Sequence, residues 1–367
     1  LKFKVGRLSL LRELNFIQPV TEKKSTIPIL TSLHFSASHK QTGGVTIHGT
    51  DLDSHLITFV DAEILEPGSC CIPAKKLTEI VKALPEAEIT FTIEGESVRI
   101  TCERSKFKLT GHQPDNFPKP KLQPDKLLPF PADTLKTLIS RVKFAVSDAE
   151  SRYSTNGVKF EYKDGQARTV ATDGHRLAFC ARPAYFEGDA IDTLIPIKTA
   201  DLVIKLIETN EPVQFGIESG TLFFSFGKRT LISRTIVGQF PNYELIFVEP
   251  QGSVVADCLR LRSTLSRVAL VTDDRSKAAK LVIGKDQLVA IAATAEVGEG
   301  QAEMDVESSF DTDITLGFNV QYISDYFGVM PEGSVRIEIK DEMSQITMKP
   351  VEDGDFDFRY VVMPMRI

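Results

Sequence analysis

Apolar and polar residues alternate with a period of two in three separate stretches of the chain, residues 89–101, 213–225 and 335–347. Successive side chains of a strand point to opposite faces, so each stretch predicts an antiparallel hairpin folded at a polar turn. Just upstream of each hairpin lies a helix-like segment. Residues 73–84, 196–208 and 318–330 therefore predict helices, and the first two open on a proline, which the first helical turn tolerates. A second helix is predicted earlier in each third of the chain. Residues 7–18 carry Leu8, Leu11, Leu14 and Ile17; residues 132–146 carry Leu135, Leu138, Ile139 and Val142; residues 257–271 carry Leu261, Leu265 and Val268. Each set forms one apolar stripe, the mark of a helix that buries a single face.

The helix starts lie at 7 and 73, at 132 and 196, and at 257 and 318, so their separation is nearly constant. Such regularity is the signature of an internal repeat. The boundaries fit. Pro114, Pro118, Pro120, Pro124, Pro129 and Pro131 crowd one stretch, and Pro250-Gln251-Gly252 punctuates another; both favour linker over core. The first two copies also close alike, on Asp115-Asn116-Phe117-Pro118 and Gly238-Gln239-Phe240-Pro241. The expected class is α+β, with three tandem similar domains at about 1–126, 127–252 and 253–367, each with two helices packed on antiparallel sheet.

Charge alters the picture in its distribution more than its sum. The chain has 43 Lys and Arg against 50 Asp and Glu, a net charge of −7. Alone, that argues against nucleic acid, because phosphates are met by Lys and Arg. Yet the helix segments together are basic and the remainder is correspondingly more acidic. Lys75 and Lys82, Lys136 and Lys143, Lys198 and Lys205, and Arg260 and Arg267 are each paired at a spacing that returns to the same helix face, roughly 10 Å along the axis. A layer of this kind suits sequence-independent attraction to phosphate, or else serves only as a solubilising face. No Trp is present and no aromatic platform interrupts the stripes, so base reading is not indicated.

Candidate catalytic chemistry is sparse. There is no phosphate-binding loop, dinucleotide fingerprint, HExxH or GxSxG. His34, His39, His48, His55, His112 and His175 show no metal-ligand spacing, and Asp51 with Asp53 read as solvated acids beside a turn. No cofactor or metal is expected. Cys70, Cys71, Cys102, Cys180 and Cys258 fit neither a disulfide framework nor a zinc knuckle, and read as buried reduced thiols. Apolar runs are too short for a membrane span, and the strand-like Leu1-Lys2-Phe3-Lys4-Val5 lacks the apolar core of a signal peptide. A cytoplasmic protein with no membrane partner is expected. The most conspicuous string is Thr172-Asp173-Gly174-His175-Arg176-Leu177. It reads as an Asp-Gly turn between strands rather than an Asp–His catalytic pair, since no activated Ser or Cys stands near it in the sequence.

These residues resemble the signature segments of the bacterial β sliding clamps, the β subunits of DNA polymerase III. The resemblance is carried by the segment from Ala171 to Ala178 and by Tyr360-Val361-Val362-Met363-Pro364-Met365-Arg366. Arg152-Tyr153, Asn156-Gly157, Phe240-Pro241-Asn242-Tyr243, Gly317-Phe318-Asn319-Val320 and Thr26-Ile27-Pro28-Ile29-Leu30 also match. It implies a head-to-tail dimer closing a six-domain ring, helices inward and sheet outward, around double-stranded DNA. The implied role is a processivity factor in DNA replication, nucleoid-associated and without a catalytic centre. The implied partners are the replicative polymerase α subunit, a clamp loader and other proteins bearing a clamp-binding motif.

Residue by residue, the resemblance implies a peptide pocket built from Arg152, Thr155, Thr172, Gly174, His175, Arg176, Leu177, Pro241, Ile246, Tyr322, Val361, Met363, Pro364, Met365 and Arg366. Its ligand is a short segment with glutamine first and a leucine–phenylalanine end. Thr155 and Leu245 depart from the Leu and Arg of relatives. Lys24, Tyr153 and Lys198 match family DNA contacts, to which the paired helix cations are added, whereas Ala149, Ser154 and Ile197 depart from the pattern. Phe107 and Leu109 of one subunit are implied to meet Leu270 and Val271 of the other. Two competing readings remain: an enzyme built on Asp173 and His175, and a repeat adaptor that never touches DNA.

Overall fold

The computed structural model describes residues 1–22, 24–38, 43–120, 126–148 and 153–366. Six α-helices are present among them: α1 Arg7–Ile17, α2 Ala74–Ala83, α3 Ala132–Val142, α4 Ile197–Leu206, α5 Cys258–Ala269 and α6 Val320–Asp325. Each lies within one of the six segments expected to be helical, most with their ends drawn in. Pro73 and Pro196 close strands immediately before their helices and lie outside them. The helix expected at 318–330 needs the largest correction. Phe318 belongs to the strand Ile314–Asn319, α6 is short, and a 3-10 turn Tyr326–Gly328 follows it. Asn319 caps α6 by accepting from the backbone N–H of Gln321 at 2.9 Å and of Tyr322 at 3.3 Å, which sets its start.

The chain divides into two compact units, Leu1–Ala132 with Asp201–Thr235, and Asp133–Ala200 with Ile236–Ile367. In the first unit a five-stranded sheet runs in the order Glu63–Glu66, Lys2–Gly6, Glu88–Glu94, Ser97–Cys102, Ser105–Thr110. Beside it stands an eight-stranded sheet. There the strand Arg229–Arg234 pairs antiparallel with Ser54–Asp61, so backbone from the first and middle thirds of the chain shares one sheet. Phe3, Phe35 and Phe91 stack inside this unit, with ring centres of Phe3 and Phe91 4.7 Å apart. α1 buries Leu10, Leu14, Phe16 and Ile17, and α2 buries Leu77 and Val81. Removing one such aliphatic side chain from water is worth about 1.5–3 kcal/mol.

The second unit holds a nine-stranded sheet and a four-stranded sheet. At the middle of the larger sheet, Arg176–Pro183 pairs antiparallel with Asp357–Val362, setting Leu177 opposite Val361 and Arg176 opposite Val362. A segment near the chain's end is thereby held against the Thr172–Leu177 string. The four-stranded sheet ends at Gly298–Asp305 on one side. No helix among the described residues is long and apolar enough to cross a membrane.

Candidate functional site

Between the strands Gln166–Thr172 and Arg176–Pro183 the chain turns through Gly174, whose φ of +89 belongs to the left-handed region. A side chain there would be strained, so glycine suits this turn. Asp173 pins the turn through one carboxylate oxygen, which accepts from the backbone N–H of His175 at 2.9 Å and of Arg176 at 3.0 Å. Thr172 Oγ1 donates to the Arg176 carbonyl at 2.6 Å and accepts from the Gly174 N–H at 3.1 Å. This is an Asx turn, and the turn reading of the string holds.

The second oxygen of Asp173 accepts from Arg176 Nε at 3.0 Å. The rest of that guanidinium is engaged as well, with Asp325 and with the Phe144 carbonyl at 2.8 Å, and it lies 4.6 Å from the centre of the Tyr322 ring. His175 instead stacks near Tyr322, ring centres 6.4 Å apart. The Asp173 carboxylate thus serves the backbone and Arg176, an arrangement that positions rather than activates.

The C-terminal segment is tied beside this turn. Beyond the strand Asp357–Val362, the Met363 N–H donates to the His175 carbonyl at 2.9 Å and the Met365 N–H to the Gly317 carbonyl at 2.7 Å. A third element completes the site. The Ile236 N–H donates to the Leu194 carbonyl at 3.1 Å, Phe240 and Tyr243 are buried, and a 3-10 turn Glu244–Ile246 follows. Tyr243 donates to Glu161 at 2.6 Å. Burial, then the Glu161 carboxylate, push its hydroxyl above the ordinary tyrosine range. Beneath lies a cluster of Val170, Leu177, Phe179, Leu194, Phe240, Tyr243 and Val361.

These elements enclose a cavity of about 620 Å³ lined by Ser154, Thr155, Thr172, Gly174, Arg176, Leu177, Val237, Gly238, Gln239, Pro241, Ile246, Val361 and Met363. Its walls are mainly apolar with a few placed polar groups, the usual make-up of a ligand pocket. Nine residues expected from the sequence are thereby brought together: Thr155, Thr172, Gly174, Arg176, Leu177, Pro241, Ile246, Val361 and Met363. His175, Tyr322, Pro364, Met365 and Arg366 stand outside this lining, although His175 and Tyr322 flank Arg176. Arg152 lies outside the described residues. Ser154, Val237, Gly238 and Gln239 join the lining without being expected there. The Gly238-Gln239-Phe240-Pro241 motif, read as a repeat ending, was the available signal.

The other expected positions are dispersed. Lys75 and Lys82 on α2, Lys136 on α3, and Arg260 and Arg267 on α5 are exposed. Lys143 falls in the 3-10 turn Lys143–Ala145 and is half-buried, as is Lys198 on α4. Lys205 donates to the Asn15 carbonyl and faces the Phe16 ring at 5.5 Å, and burial lowers its pKa from the ordinary lysine value. Lys24 is exposed, and Tyr153 opens the 3-10 turn Tyr153–Thr155. Phe107 is 40% exposed on the edge strand Ser105–Thr110, where Leu109 is half-buried. Leu270 is 80% exposed, while Val271 packs so closely on Gly300 that a Cβ there would meet it at 2.7 Å. All five cysteines are buried and in no disulfide, with burial raising Cys71 and Cys180 to about 12. Among the described residues no three His, Cys, Asp or Glu gather as a metal site.

A repeat of helices on antiparallel sheets, carrying an apolar pocket between a strand turn and the terminal segment, defines an α+β clamp-type binding protein. Family models for the DNA polymerase III beta subunit match nearly the whole chain: the N-terminal domain at residues 1–122, the central domain at 129–242 and the C-terminal domain at 244–366. The Beta sliding clamps of Pseudomonas putida and Salmonella typhimurium are 31% and 30% identical to it, with both chains covered in full. A solved DnaN sliding clamp from Pseudomonas aeruginosa, bound to griselimycin, is 30% identical and superposes with a TM-score of 0.92 over 100% of this chain and 99% of that one. The chain belongs to the DNA polymerase III beta subunit family.

Proposed function

We propose that this protein is a sliding clamp, the processivity factor of a replicative DNA polymerase, with no catalytic centre of its own. Two copies pair head to tail around duplex DNA, each contributing three repeats bounded near residues 126 and 252, and the ring works on the chromosome in the cytoplasm. The carrying observation is the cavity at the Thr172–Leu177 turn, built from the same segments that bear the family resemblance. It suits capture of a short apolar peptide from the polymerase, the clamp loader or other replication and repair proteins. His175, Tyr322, Pro364, Met365 and Arg366 extend that site around its lining.

Phosphate contacts without base readout are assigned to the exposed Lys24, Lys75 and Lys82 in the first unit and to the exposed Lys136, Arg260 and Arg267 in the second. Ring closure is assigned to two sheet edges. The strand Ser105–Thr110 carries Lys106 and Lys108 beside Phe107 and Leu109; the strand Gly298–Asp305 carries Glu299, Glu303 and Asp305 near Leu270 and Val271. Unpaired edges invite a second chain, and their opposite charges suit one another. In a reconstituted system with a clamp loader, the protein should remain on nicked circular DNA in gel filtration and leave once the circle is cut. Equal retention on linear and circular DNA contradicts encirclement.

A further inference from the structure

We infer that Val237 and Leu245 make this pocket select an uncharged, apolar peptide and reject one with an acidic residue beside its apolar anchor. The inference rests on the peptide-capture reading above and deepens it. Val237 lines the cavity yet is 90% exposed, and Leu245, next to the lining residue Ile246 on one 3-10 turn, is 78% exposed. Scattered exposed aliphatics are ordinary on protein surfaces. Here Val237 lines a cavity whose walls are mainly apolar and Leu245 precedes the lining residue Ile246, so a peptide that fills the cavity and reaches past Ile246 also gains by covering them.

Charge argues the same way. Arg176 is the only ionisable side chain among the described lining residues. Its donors are committed to Asp173, Asp325 and the Phe144 carbonyl, and its charge is met by those two carboxylates. A peptide carboxylate entering the cavity would shed water and find no uncommitted cation among these side chains. Exposed Glu244, adjacent to Leu245, adds repulsion. Desolvating a charge without a partner is costly, and selectivity arises by such exclusion as much as by attraction.

The test is fluorescence polarisation of the full chain with three labelled pentapeptides, Gln-Ala-Leu-Leu-Phe, Gln-Ala-Ser-Leu-Phe and Gln-Ala-Asp-Leu-Phe. The leucine form should bind about tenfold more tightly than the aspartate form, with serine between them. Leu245→Arg should narrow that ratio to about threefold or less by tightening the aspartate form, more so at low salt, and Val237→Asp should widen it. Both positions are exposed, so neither change disturbs the core. Equal affinities for all three peptides, unchanged by Leu245→Arg, would overturn the selectivity while leaving peptide capture intact. No binding of any probe by the parent overturns peptide capture itself, and the inference with it.

Discussion

The imidazole of His48 is buried against His55, with 3.1 Å between ring nitrogens, and against the edge of Phe117. Burial, then the neighbouring His55, His34 and Lys119, push its pKa down to about 3, and burial lowers His34 and His55 as well. The unfolded chain takes up these protons near pH 6.5, well before the folded one. Stability from the neutral imidazoles is therefore complete above about pH 6.5 and is lost as pH falls from there towards the folded values, by at most ~1.4 kcal/mol per unit for each group. The urea midpoint of unfolding should drop between pH 7.5 and 5.0 in the parent and drop less in His48→Gln. Identical slopes would remove His48 from the account.

Arg229 is a second case at this scale, because a buried guanidinium must be matched. It meets both Glu13 oxygens at 2.9 and 2.7 Å and Glu208 at 2.6 Å, over the Phe16 ring. Breaking such a pair leaves a buried charge unpaired, at a cost of about 3–5 kcal/mol. Arg229→Ala should lose stability on that scale, and Glu13→Gln added to it should recover part of the loss in denaturant titration.

At the scale of elements, helix positions were legible because a buried stripe repeats every three to four residues regardless of what covers it. Helix ends were less so. The apolar run around Phe318 suits strand and helix alike. Phe318 is 1% exposed on a strand, and the Asn319 cap starts the helix beyond it. The terminal segment shows the opposite case. The Met363 amide is bonded to the His175 carbonyl in a turn and the Met365 amide to the Gly317 carbonyl on a strand, which holds the Met363 side chain at the cavity. Met363→Ala should weaken Gln-Ala-Leu-Leu-Phe binding by about tenfold, within the range for truncating a pocket contact, while the melting temperature stays put. Undiminished affinity would place the peptide elsewhere.

For the whole molecule, what matters is which edges stay open. Among the described residues the strand Ser105–Thr110 has one neighbour in its sheet, as has Gly298–Asp305. Their charges are opposite, and Phe107 and Leu270 are exposed beside them. Phe107→Asp should therefore convert a sedimenting dimer into monomers, and the parent should dissociate more readily at high salt. A variant that still sediments as a dimer refutes this closure.

The sequence by itself determined the repeat, the six helix sites, the first two hairpins, the Asp173-Gly174 turn and, by resemblance, most of the cavity lining, whereas the third hairpin's return strand lies later than expected, at Ile346–Pro350. Those features depend on local periodicity, turn chemistry and short motifs, which survive without knowledge of neighbours. Tertiary structure alone decided that Arg229 of the middle repeat answers Glu13 of the first, that Lys205 is drawn onto a carbonyl and an aromatic ring, and that Val237 and Gln239 stand in the pocket wall. It likewise decided that Arg176 is consumed by Asp173 and Asp325. Each of these depends on partners distant along the chain or on how loops pack, and no spacing along the chain encodes which charged group will be buried beside which.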